Sequence, residues 1–94
     1  MIKSFSNKMT ENIFHGIYTH GLRIKLPSNL VKDAQRKLDL LNCAESLESL
    51  RRIPSIKAET VRGAHGKYSI TIYQDLRIEF GWNSGPENIE IKNW

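Results

Sequence analysis

The sequence predicts an α+β fold with a short N-terminal strand, two helices, and then a mostly antiparallel twisted sheet of three to four strands. Three observations support this prediction. A length of 94 residues is enough for one hydrophobic core but not for two. Apolar residues recur at helical spacing in the middle of the chain, and they alternate with polar residues through its last third. We therefore expect residues 1–94 to form one domain.

The N-terminal segment alternates in polarity and then carries helix start signals. Ile2-Lys3-Ser4-Phe5 is typical of a short strand. Ser6 and Asn7 can cap a helix that runs roughly from Lys8 to Phe14, and Gly16 is placed to end it.

The strongest helix of the sequence follows Pro27-Ser28-Asn29, which are residues favoured at helix starts. Its apolar residues recur every three or four positions and predict one stripe against the core: Leu30, Ala34, Leu38, Leu41 and Ala44. Leu47 and Leu50 extend the pattern as a short second helix, which Arg51-Arg52-Ile53-Pro54 ends.

Residues 68–92 alternate with a period of two, which predicts a sheet with one face on the core and one face open. Because apolar residues must meet apolar residues, the expected partners are Ile72 with Ile78, Tyr73 with Arg77, Trp82 with Ile89, and Phe80 with Ile91. The first hairpin then needs an odd-length turn or a bulge around Asp75, and residues 83–88 form the second turn. Arg77 lies level with Trp94, and the open face gathers Tyr73, Arg77, Glu79 and Trp94.

Composition indicates the class of partner. Fourteen basic and ten acidic residues give a net charge of +4 and a pI near 9.4, which favours anionic partners, RNA or DNA first. No apolar run approaches the ~20 residues that span a bilayer, and the N-terminus lacks the apolar region of a signal peptide, so we expect a cytoplasmic protein without a membrane partner. One cysteine and three scattered histidines show no metal-ligand spacing, and we expect neither metal nor cofactor.

Arg77 is the first candidate for chemistry, because it interrupts an apolar strand and its apolar neighbours point the other way. It is either an ion-pair partner of Glu79 or Glu90, or a guanidinium held on a rigid strand and directed at a phosphate. Arg62, His65 and Lys67 surround a glycine-containing turn that suits a phosphate backbone, although an ordinary solvated turn explains them equally well.

Three residues, one histidine and two aromatic residues, have two interpretations each. His65 is either an exposed loop histidine or a group that exchanges protons near neutral pH. Tyr73 and Trp94 offer flat rings on which unpaired bases can stack. The terminal Trp94 can equally well pack back against its own sheet.

Several segments, taken in order, resemble HigB-type toxins of the RelE superfamily. These segments are Met1-Ile2-Lys3-Ser4-Phe5, the helix from Ala34 to Ala44 with Leu47-Glu48-Ser49-Leu50 after it, Val61-Arg62-Gly63 through Gly66-Lys67-Tyr68-Ser69-Ile70, Leu76-Arg77-Ile78-Glu79-Phe80, and Asn88-Ile89-Glu90-Ile91. The resemblance covers essentially the whole chain. It implies a RelE-like fold and a toxin that cleaves messenger RNA on the ribosome without a metal, by attack of the 2′-hydroxyl on the neighbouring phosphate.

The resemblance also implies partners and roles. The partners are the ribosome with its mRNA, and a cognate helix-turn-helix antitoxin (HigA-like). The toxin is expected to contact operator DNA only as part of its complex with this antitoxin. Arg77 matches the strand arginine of the family and is expected to stabilise the transition state. Arg62 is expected to hold phosphate. Asn93 and Trp94 complete the predicted catalytic set because they occupy the C-terminal catalytic positions.

The predicted RNA-binding residues depart from the family pattern. Tyr73 stands where many members have arginine, Glu59 where some have histidine, and His65 where arginine is frequent; Lys67 completes this set. The family commonly ends in Asp-Tyr-His, whereas this chain ends in Asn93-Trp94, and the histidine is absent. An asparagine cannot act as a base, and each lost acid–base group costs on the order of 10²–10⁴ in rate.

Three alternatives therefore stay open. The first is a catalytically weak or inactive toxin homologue that acts as an antitoxin-binding co-repressor. The second is a small nucleic-acid-binding domain outside this family, whose affinity for free RNA or DNA would fall steeply with salt. The third and most distant is a metal-dependent nuclease, which the scattered acidic residues do not favour.

Overall fold

The computed structural model describes residues 1–17, 19, 21, 26–54, 56, 58–63 and 65–93, and of Asn93 it describes the backbone only. In this part of the chain the predicted α+β class is confirmed. The elements in chain order are α1 (Lys8–Phe14), α2 (Ser28–Cys43), α3 (Leu47–Arg51), β1 (Glu59–Thr60), β2 (Lys67–Tyr73), β3 (Leu76–Trp82) and β4 (Pro86–Asn93). The four strands form one antiparallel sheet in the order β1-β2-β3-β4.

The predicted N-terminal strand is wrong, because residues 2–5 do not form a regular strand. The first regular element is a helix. Phe5 makes a single parallel bridge to Ile89, and the Lys3 and Ser6 N–H groups donate to carbonyl groups of β4. Ahead of these contacts the chain leaves β4, and the Ile2 N–H donates to the side chain of Asn42, at 2.9 Å. The first residues therefore lie along the edge of β4 without forming a full strand.

Three helices are described, at the three places where the sequence predicts helical segments, whereas the predicted fold class counted only two. Helix α1 begins as expected, because the Asn7 side chain accepts a hydrogen bond from the Thr10 N–H. Helix α2 ends at Cys43, and its C-cap residue Ala44 has an extended backbone. Ser46 then opens α3 with a reciprocal capping box to Ser49, so that α3 is a separate short helix, as the sequence predicts.

The core lies between the helices and one face of the sheet. Ala34, Leu38 and Leu41 of α2 are fully buried, as the predicted stripe requires. They belong to one cluster with the inward-facing strand residues, among them Ile70, Ile78, Phe80, Ile89 and Ile91. None of the described helices has the length and hydropathy needed to cross a bilayer.

The predicted register of the first hairpin is wrong by two residues. Ile78 lies opposite Ile70 rather than Ile72, and Arg77 lies opposite Thr71 rather than Tyr73. The turn is shorter than expected, because only Gln74 (φ +51°) and Asp75 connect the strands. The register shifts between Thr71 and Tyr73, so of the two predicted options the structure has an irregularity, and it lies within β2 rather than around Asp75.

The second hairpin is also displaced by two residues from its predicted register. Ile91 lies opposite Ile78 rather than Phe80, and Arg77 lies opposite Lys92 rather than level with Trp94. The cause is again a shorter turn, because Pro86 already pairs with Trp82. The extra residue is absorbed as a bulge near Asn88, whose positive φ of +52° suits an asparagine.

Candidate functional site

Arg77 lies on the open face of an interior strand, and this part of its prediction agrees with the structure. Strand β3 has β2 on one side and β4 on the other. The neighbours of Arg77 along the strand, Leu76 and Ile78, are buried in the core, so the arginine side chain points to the opposite face. Its side chain is half-buried, and its cross-strand partners are Thr71 on β2 and Lys92 on β4.

Lys92 and Glu79 form an ion pair beside Arg77. The Lys92 Nζ lies 3.4 Å from Glu79 Oε1, and the side chains are 33% and 5% exposed, respectively. Glu79 is therefore buried, although the polarity pattern placed it on an open, solvated face. Its second oxygen, Oε2, is also buried and accepts no hydrogen bond from the described residues. The carboxylate offsets part of the positive charge at this end of the sheet.

Like charges lie directly opposite one another across β3 and β4. Arg77 pairs with Lys92, and two residues further along Glu79 pairs with Glu90. Directly opposed like charges destabilise a sheet, and the diagonal contact between Lys92 and Glu79 relieves part of this cost. The four residues thus form a compact group of two cations and two anions.

A second basic region lies in the loop between β1 and β2. Arg62, His65 and Lys67 are exposed there, and the Val61 N–H donates to the Lys67 carbonyl where the hairpin closes. Positive φ angles at the two loop glycines, 63 and 66, make this tight turn possible. The loop residues line an open groove of about 610 Å³.

The structure does not bring Arg62 and Arg77 to one phosphate. Arg77 is level with Thr71, whereas the loop starts beyond Lys67 at the opposite end of β2. The four residue steps from Lys67 to Thr71 correspond to about 13 Å of strand. Arg62, His65 and Lys67 therefore form one group, and Arg77 belongs to another.

The remaining predicted residues divide between these two ends. Tyr73 is 54% exposed and stands at the Arg77 end, where it lines a groove together with Leu26 and Pro27. The Asn93 backbone pairs with Leu76 at the same end. Glu59 is exposed on β1, level with Ser69 and Glu79. Trp94 lies outside the described residues, and the predicted stacking on its indole ring falls there too.

Lys92 is the residue of this site that the sequence analysis missed. Its alternation with Ile91 placed it on the correct face, but the predicted register put Trp94 in its position beside Arg77. Two signals could have located it. Asn88 is a residue type that tolerates positive φ, and the preceding Gly85-Pro86 suits a short turn that ends early.

Metal ligands are not grouped in the described part of the chain. No cluster of three or more histidine, cysteine, aspartate or glutamate side chains in it has the arrangement that holds a metal ion. Glu59, Glu79 and Glu90 are level with one another in the sheet. Strand β2 separates Glu59 from the other two, however, and Glu79 contacts Lys92.

No family model matches the chain. A protein of Haemophilus influenzae, described only as an uncharacterized protein, is 31% identical over 85 residues, which are 88% of this chain and 80% of that protein.

Proposed function

The chain belongs to the same family as this Haemophilus influenzae protein, and we propose for it the function that its resemblance to HigB-type toxins implies. It is the toxin of a type II toxin–antitoxin system, with a RelE-like fold, and it inhibits translation as a metal-independent, ribosome-dependent mRNA endonuclease. It acts in the cytoplasm, and a helix-turn-helix antitoxin encoded beside it keeps it inactive.

The observation that supports this proposal best is the placement of Arg77. An interior strand of the sheet fixes the backbone of Arg77, and its side chain faces away from the core. Preorganised cations of this kind stabilise the charge that develops on a phosphate as the 2′-hydroxyl attacks it. Removal of one such donor costs on the order of 10²–10³ in rate.

The basic loop has a different task in this proposal. Its distance of about 13 Å from Arg77 along the strand is roughly the axial rise of four stacked nucleotides. Arg62, His65 and Lys67 therefore contact phosphates away from the scissile one, and His65 does not exchange a proton at the bond that Arg77 stabilises. Tyr73, which is exposed at the Arg77 end, offers a ring on which an unpaired base stacks.

A translation extract programmed with a message of known sequence tests the proposal. We expect wild-type protein to cut the message only when ribosomes are present, and to cut equally well with a chelator. Arg77→Ala should reduce the rate about 10²–10³-fold. Arg36→Ala is the matched control, because it removes an exposed arginine of α2 that contacts Asp33 at 3.6 Å. An uncut message and unimpaired translation with wild-type protein would refute the toxin function.

A second candidate function is that of a catalytically weak or inactive homologue that binds the antitoxin and acts as its co-repressor. Two observations favour it. The carboxylate of Glu79 offsets the charge of Lys92, and Arg62 is too distant to reinforce Arg77. In that case expression would not arrest growth, and Arg77→Ala would change nothing. The chain would instead strengthen the binding of the antitoxin to operator DNA, which a gel-shift titration measures.

A further inference from the structure

A small groove lies at the Arg77 end of the sheet, between the β2–β3 turn and the start of α2. Its volume is about 240 Å³, which is below the ~300–1,000 Å³ of pockets that enclose a drug-sized ligand. Three consecutive residues from the end of β2 and the turn line it, namely Tyr73, Gln74 and Asp75. The other lining residues are apolar: Leu26, Pro27, Leu30 and Leu76. This size and this mixed lining suit one flat ring with polar edges, such as a nucleobase.

Tyr73 gives the groove an accessible aromatic ring. The residue is 54% exposed, although it is large and apolar over most of its surface. Stacking on such a ring is a common way in which proteins hold an unpaired base. Tyr73 pairs with Leu76, which is the residue before Arg77. A base on this ring would therefore belong to a nucleotide next to a phosphate at Arg77.

Gln74 adopts a conformation that its residue type does not favour. Its φ of +51° lies in the left-handed region, where glycine or asparagine is usual. Residues held in this region are concentrated at ligand sites. The Gln74 Nε2 donates to the hydroxyl oxygen of Tyr73 at 3.4 Å, so the amide lies at the hydroxyl end of the ring. That amide carries a second N–H donor, which is available in geometry to a ligand above the ring.

Asp75 adds a carboxylate to the same groove, and the residue is exposed. An ionised carboxylate only accepts hydrogen bonds. Guanine presents two adjacent donors, N1–H and N2–H₂, whereas adenine, cytosine and uracil each place an acceptor beside their donor. The carboxylate can therefore accept from both guanine donors, but it faces an acceptor of each of the other bases. Guanine is the base that this groove complements best.

We propose that the groove formed by Tyr73, Gln74 and Asp75 binds one unpaired guanine base. The Tyr73 ring stacks on the base, the Asp75 carboxylate accepts from N1–H and N2–H₂, and the Gln74 amide donates to O6. That this guanine belongs to a message, beside the bond that is cut, rests on the proposed function, and the turn then sets the sequence preference of the nuclease. The binding of guanine itself does not depend on cleavage.

Titration with the 5′-monophosphates of guanosine, adenosine, cytidine and uridine, followed by NMR of the backbone amides, tests the groove without ribosomes. Because all four carry the same ribose and phosphate, a difference in affinity reports on the base. We expect guanosine monophosphate to shift the signals of residues 73–76 with one saturation curve. It should bind about tenfold more tightly than the other three, as a charged hydrogen-bonding pair allows.

Asp75→Asn should abolish this preference, because an asparagine amide cannot accept from both guanine donors. The variant should fold, since asparagine is favoured in turns. Asp39→Asn is the matched control, because it removes an exposed aspartate of α2 and should leave the preference unchanged.

Variants of the ring and of the strained residue separate ligand binding from a structural role. Tyr73→Phe keeps the ring and should keep the affinity, whereas Tyr73→Leu should weaken binding of all four nucleotides about tenfold. A merely structural tyrosine would leave nucleotide affinity unchanged in both variants. Gln74→Gly adopts the positive φ without strain, so it should fold and still bind guanosine monophosphate more weakly than wild-type protein does.

The outcomes separate this inference from the proposed function. Equal affinity for the four nucleotides, or signals of residues 73–76 that do not shift, would overturn the guanine site. The same conclusion follows if wild-type protein and Asp75→Asn cut the message at the same positions and equally fast. If guanosine monophosphate binds at residues 73–76 while the message stays uncut, the guanine site is supported and the nuclease function fails.

Discussion

Arg62 and Arg77 should contribute independently to cleavage, although both are expected to contact RNA. The test is a double-mutant cycle with Arg62→Ala, Arg77→Ala and the double variant. The two levels of the sheet are about 13 Å apart along β2. At that distance two unit charges in water interact by about 0.3 kcal/mol before screening, and by less than about 0.1 kcal/mol at physiological salt.

The assay is the rate of message cleavage at limiting protein, and the ratio of rates gives the loss of transition-state stabilisation. We expect the two single losses to add within about 0.5 kcal/mol, as they do for distant sites. A coupling above about 1 kcal/mol between Arg62 and Arg77 would refute the separation of the two ends. The companion cycle of Arg77→Ala and Lys92→Met should couple by on the order of 1–3 kcal/mol, because these side chains are cross-strand partners.

Three further predictions concern the scaffold and are checked by urea unfolding at constant m-value. Asn7→Ala should cost about 1 kcal/mol, since it removes the 2.9 Å hydrogen bond from the Thr10 N–H at the start of α1. Phe80→Ala should cost about 3–5 kcal/mol, because this side chain is fully buried in the core. Gly85→Ala should cost more than about 1 kcal/mol, since a Cβ there would lie 2.9 Å from the Met1 carbonyl oxygen at a φ of +152°. A loss below roughly half of any of these values would contradict the corresponding contact.

The faces of the strands could be predicted from the sequence, but their register could not. A slip of one residue would expose the apolar side chains of β2, so the polarity pattern excludes it. A slip of two residues returns every side chain to the same face, and the pattern cannot detect it. Local turn geometry decides between these registers. Gln74 adopts a positive φ angle in the short turn between β2 and β3, and Asn88 adopts one at the bulge that follows the turn between β3 and β4.

The candidate site was predicted in part for the same reason. The outward direction of Arg77 follows from parity alone, and it agrees with the structure. The residue that lies opposite Arg77 on β4 depends on the strand register. The predicted register placed Trp94 there, whereas the structure has Lys92. The burial of Glu79 was missed because alternation reports which face a residue occupies and not how deeply neighbouring side chains cover it.

The first residues of the chain close the outer edge of the last strand, and this has a consequence for synthesis. The Asn88 N–H donates to the hydroxyl oxygen of Ser4, a residue 84 positions earlier, and Lys3 and Ser6 bond to the same strand. A polypeptide that leaves the ribosome from its N-terminus must hold this segment unpaired until β4 has been translated. Contacts of such long sequence separation form slowly. The hydrogen bonds between this segment and β4 are therefore expected to form late in folding.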